Sequence, residues 1–92
     1  MEKVSKELCQ KAIDAWGTDA QLLMVLEEMS ELQKEILKNI NRGKDNLPEI
    51  IEEIADVEIM LEQAKYIYNI EKEVADMIPE KLKKVKARLE MK

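Results

Sequence analysis

The stretch PEIIEEIADVEIML, Pro48 to Leu61, decides how this chain folds. Ile50, Val57 and Met60, followed by Ala64, recur at the spacing of a helix in which each residue turns roughly 100° from the last. On that helix Glu53 and Asp56 project into the same arc as the apolar residues. Two carboxylates therefore stand inside the face that has to be buried. An unpaired ionised carboxylate taken out of water costs several kcal/mol or more, so the helix needs a partner for these charges.

Upstream, RGKDNLP is a break: Gly43 follows the last periodic residue, Asn46 or Leu47 takes a cap position, and Pro48 suits a first helical turn. Before it, Leu22, Val25, Leu26, Met29, Leu32, Ile36 and Ile40 predict a long helix from Thr18 to about Arg42, with Thr18 and Gln21 spaced as a capping box. Val4, Leu8, Ala12 and Ala15 predict a first helix from about Ser5 to Trp16 that stops near Gly17. Downstream, the helix containing Pro48 continues to Tyr68, and Asn69 is a plausible cap for a fourth that opens with the acidic EKE. Pro79 should make that fourth element either two short helices or one kinked helix, because proline removes a backbone hydrogen bond and clashes with the preceding turn. The basic run Lys81, Lys83, Lys84, Lys86 and Arg88 fits a helix C-terminus.

Composition agrees with this reading. With 46% hydrophobic and 38% charged residues, two Gly, two Pro and no Phe, the chain reads as all-α, a helical hairpin with flanking helices. Its 92 residues form one domain, 1–92, near the size at which a single core is only just sufficient. A hairpin exposing so much Leu, Ile and Met is expected to dimerise into a four-helix-bundle core, as a homodimer or a homotetramer. A net charge of −5 argues against a nucleic-acid partner, whose footprint is a gathered surplus of Lys and Arg. AQLLMVL falls far short of the ~20 apolar residues of a membrane span, and MEKVSKELCQ lacks a signal-peptide core, so the expectation is a cytoplasmic protein with no membrane partner. Cys9 is single and has no disulfide partner in the chain; it reads as an ordinary position on the first helix. The absence of His removes both a zinc constellation and an imidazole base.

The partner for Glu53 and Asp56 is suggested by a second acidic pair. Glu28 and Glu31 are also three apart, and residues at that spacing share a helix face. In an antiparallel hairpin, Glu28 and Glu31 lie 14 and 11 residues before Arg42, and Glu53 and Asp56 lie 6 and 9 after Leu47. Slight fraying at the loop would bring the pairs level. Converging carboxylates repel and have their pKa raised unless a cation is present. Oxygen-only ligation selects a hard cation, Mg²⁺ or Mn²⁺. A ferritin-like di-iron site would require Glu-x-x-His on two helices, and the chain has no His. Acidic pairs are common on solvated helix faces; Glu52, Glu58 and Glu62 fall on the polar side and need no explanation, whereas Glu53 and Asp56 do not.

EEMSE, Glu27 to Glu31, followed after 21 residues by EIAD, Glu53 to Asp56, resembles the EExxE…ExxD signature of the MazG-like all-α nucleoside triphosphate pyrophosphohydrolases. WGTDAQLLMVLEEMSEL, the RGK turn and EEIADVEIMLEQ are also similar to short single-domain members from bacteria and phages, over roughly Trp16 to Tyr68. The resemblance implies that Glu28, Glu31, Glu53 and Asp56 are Mg²⁺ ligands and that a (d)NTP is hydrolysed to the monophosphate and pyrophosphate. With no His, a base would be a carboxylate, Glu27 or Glu31, or metal-bound hydroxide. Lys34, Lys38, Arg42 and Lys44, with Lys81, Lys84 and Arg88, are the cations available for phosphate, and Trp16 and Gln21 are candidates for the nucleobase, by stacking and by edge hydrogen bonds. Pro79 and the lysine-rich tail match no sharp motif of that family. Two alternatives stand beside this reading: a non-catalytic helical oligomerisation or adaptor module whose carboxylates pair with Lys and Arg across an interface, and a phosphoribosyl-ATP pyrophosphatase.

Overall fold

A computed structural model describes residues 4–92. It contains four helices, α1 Lys6–Trp16, α2 Thr18–Arg42, α3 Leu47–Tyr68 and α4 Glu71–Glu90, with no strand among the described residues. The fold is all-α.

Ser5 starts α1: its Oγ accepts the Leu8 N–H at 3.1 Å. Gly17 ends it with φ 91° and ψ 155°, close to a region that is essentially reserved for glycine. A Cβ built there would meet nothing within 4 Å, so the requirement for glycine is conformational rather than a matter of space. Gly17 also occupies the cap position of α2, and no side chain caps that helix. The Thr18–Gln21 capping box therefore does not form, because Thr18 is already helical. Gln21 is buried instead, its Nε2 donating to Met24 Sδ at 3.7 Å.

α2 and α3 make an antiparallel hairpin across a four-residue turn in which Gly43 adopts φ 59°. Asn46 is fully buried in this turn. Its Nδ2 donates to the Glu35 backbone oxygen and to Glu35 Oε1, both at 2.9 Å, while its Oδ1 accepts from Asn39 Nδ2 at 3.3 Å. Asn46 stands at the cap position of α3 but makes no side-chain cap bond; its amide clamps the turn onto α2.

Asn69 also differs from expectation. It lies in the left-handed region, φ 56° and ψ 49°, and closes α3 rather than opening α4. Its N–H donates to the Tyr66 oxygen at 3.1 Å, and the next N–H, of Ile70, donates to the Lys65 oxygen at 3.0 Å. α4 then runs as one helix through Pro79. The proline leaves the Ala75 carbonyl without its usual helical donor, a cost reduced because Ala75 and Pro79 are both exposed.

The core is small. Cys9, Val25 and Met60 are its buried apolar side chains, accompanied by buried Gln21 and Gln63. α1 packs at the open end of the hairpin, where Tyr66 Oη donates to Gln10 Oε1 at 2.6 Å. Much of the apolar surface remains uncovered. On α2, Leu26, Met29, Ile36 and Ile40 continue the line of half-buried Leu22 at four-, three-, seven- and four-residue steps, with Gln33 at the intervening position; on α3, Ile50, Ile54, Val57 and Leu61 follow at four-, three- and four-residue steps. Both lines are rotated by about 100° from the contact between the helices, in senses that place them on the same side of the hairpin.

Candidate metal centre

The hairpin brings three carboxylates together. Glu28 from α2, with Glu53 and Asp56 one turn apart on α3, offer carboxylate oxygens that all lie within 4.8 Å of one another. All three side chains are half-buried. Glu53 Oε2 is itself buried and has no hydrogen-bond partner. Burial followed by the charges of Asp56 and Glu53 pushes Glu28 above the ordinary carboxyl value, and hydrogen bonding within the group raises it further. Glu53 is also raised, by burial first and then by the charges of Asp56 and Glu31, with Glu28 acting in the opposite direction.

No counter-charge is nearby. Among the described residues the ion pairs are Lys11–Glu7, Lys38–Glu35, Lys65–Glu62 and Lys83–Glu80, and none uses a carboxylate of the group. A donor set of three convergent carboxylates containing a buried, unpartnered oxygen fits a hard divalent cation.

The remaining candidates are dispersed. Glu31 is exposed and lies outside the tight group, although its charge reaches Glu53. Glu27 and Lys34 are exposed, and Lys38 is held by Glu35 at 3.3 Å. Trp16 is 67% exposed at the end of α1, outside the core. Gln21 is buried on α2 two turns before Glu28. Lys81, Lys84 and Arg88 are exposed on the distal half of α4.

Gln63 was not among the residues selected from sequence. It lies seven residues after Asp56, as Gln21 lies seven before Glu28, and is 5% exposed with its Nε2 unpartnered. The spacing of seven was legible; the burial of a second polar residue was not. A shallow cleft between α1 and the end of α3, lined by Gln10, Ile13, Thr18, Tyr66, Ile67 and Asn69, contains no carboxylate. Burial, and then the charge of Glu62, raise the Cys9 thiol pKa, which suits a packing role rather than a nucleophile. No protein-family model, curated protein or solved structure matches the chain.

Proposed function

We propose that this chain is a Mg²⁺-dependent nucleoside triphosphate pyrophosphohydrolase of the MazG-like type that works as a homo-oligomer. The observation that carries the reading is Glu53 Oε2, buried without a partner in a group of three carboxylates within 4.8 Å. The resemblance of EEMSE and EIAD to that family's signature supports it. Glu28, Glu53 and Asp56 would hold the ion, with Glu31 at the margin. Bound there, Mg²⁺, or Mn²⁺ in its place, supplies neutralisation of triphosphate charge and polarisation of the phosphoryl oxygens.

The chain's own residues account for the rest. Glu27 and Glu31 are exposed, and Glu31 lies close enough for its charge to reach Glu53; either carboxylate would accept the proton of an attacking water as the anhydride bond breaks and pyrophosphate leaves. Lys34 is free to meet a phosphate; Lys38 would first have to leave Glu35. Gln21 offers amide hydrogen bonds two turns away, and exposed Trp16 an aromatic face. The uncovered apolar side of the hairpin would be buried by helices of a second copy, giving a helical-bundle core that spans two chains. That same surface favours the second reading, a helical oligomerisation module without catalysis.

Pyrophosphate release from the eight common NTPs and dNTPs, measured with Mg²⁺, Mn²⁺ and EDTA, tests the proposal. Metal-dependent release that is lost in Glu53→Gln supports it. Absence of release from every nucleotide, with no stabilisation by millimolar Mg²⁺, favours the oligomerisation module; absence of release with such stabilisation directs the search to phosphoribosyl-ATP.

A further inference from the structure

The distal half of α4 cannot be understood from its own chain. Every residue from Ala75 to Lys92 is exposed, including an apolar line Ile78, Leu82, Val85 and Leu89 at four-, three- and four-residue steps. This line continues the face on which Val74 is half-buried beside α3, so a packed surface runs on without anything to pack against. Pro79 removes a hydrogen bond from the middle of the helix, and the eleven residues beyond it, Glu80 to Glu90, are fewer than the ~12–15 at which an isolated helix becomes even marginal in water. An apolar partner would stabilise this segment.

We propose that residues 77–91 form an arm that docks on the α2–α3 hairpin of a second copy of this chain. Its own hairpin is not the receiver: α4 touches α3 alone and is exposed from Ala75 onward. Charge and shape select the second copy. Residues 77–92 hold six basic and two acidic side chains, whereas residues 18–68 hold twelve acidic and five basic. The hairpin also presents an uncovered line of Leu26, Met29, Ile36 and Ile40, with the heptad steps that receive the apolar line of another helix. Apolar contact supplies the adhesion, and the flanking opposite charges set its orientation and make it sensitive to salt. The inference uses neither a metal ion nor a catalytic step.

Hydrogen exchange on the full chain tests it, following the backbone amides of 80–90 at 500 µM and at 0.5 µM. Two variants at exposed positions serve as comparisons: Leu82→Asp with Val85→Asp, which breaks the apolar line, and Lys81→Glu with Lys84→Glu and Arg88→Glu, which reverses the charge. At 500 µM the arm of the unaltered chain is expected to exchange at least tenfold more slowly than in either variant, and dilution should erase the difference. The α2–α3 amides near Asn46 report that each variant folds. Equal exchange in all three proteins at 500 µM overturns the proposal. So does protection that persists at 0.5 µM in a chain that sediments as a monomer, which would be an intramolecular contact. Protection that appears only when phosphatidylserine vesicles are added overturns it in favour of an anionic membrane surface.

Discussion

Glu53 is the residue at which folding and chemistry pull in opposite directions. Its half-buried side chain brings a charge against Glu28 and Asp56, and no ion pair among the described residues meets it. Because Glu28 and Glu53 have raised pKa values, the folded protein holds more protons than the unfolded chain above the ordinary carboxyl value of 4.5. In EDTA their contribution to stability is therefore greatest at or below that pH and is lost as pH rises through the raised values. Glu35, lowered by its hydrogen bond to Asn46, has the opposite sign and loses its contribution only as pH falls below 4.5. Glu53→Gln should raise the metal-free Tm at pH 7 and flatten its decline between pH 4.5 and 7; a lowered Tm at pH 7 would show that Glu53 contributes more as a packing group than it costs as a charge. The placement of Glu53 and Asp56 in an apolar arc was legible from period alone. The marginal position of Glu31 was not, because it depends on a rotation between the helices that three-residue spacing leaves unspecified.

At the scale of the element, the hairpin is held in register by Asn46, whose buried amide binds Glu35 through both main chain and side chain. Asn46→Ala removes the two bonds to Glu35 and the one from Asn39, whose amide keeps the Lys44 oxygen at 3.1 Å, at a cost of about 1–3 kcal/mol. In a domain of this size that corresponds to a fall in Tm of roughly 4–8 °C per kcal/mol, measurable by circular dichroism. An unchanged Tm would mean that water replaces the amide. The ends of α1, α2 and α3 were legible to within a residue, since Gly17, Gly43 and Pro48 punctuate strong apolar periods. The caps were not. Thr18, Asn46 and Asn69 all have cap chemistry, but which neighbour each serves is decided by φ and by tertiary contacts. Pro79 was a real signal with two structural outcomes, and the exposure that allows one continuous helix is not a property of the local sequence.

At the scale of the molecule, three buried apolar side chains among the described residues are a small core for this length, and two long apolar lines lie on the surface. The all-α class and the hairpin followed from period and composition, whereas the direction of α4 followed from neither. If the surface is covered by a second copy, Tm should rise with protein concentration, by roughly several degrees between 5 and 500 µM. A Tm independent of concentration would establish the monomer as the stable unit. The clamp at the turn also has a temporal meaning. Asn46 and Glu35 are eleven residues apart, a span that closes in about 10–100 ns, far faster than distant segments find one another. The hairpin is therefore expected to zip outward from its turn and to bring Glu28 against Glu53 and Asp56 before α1 and α4 attach.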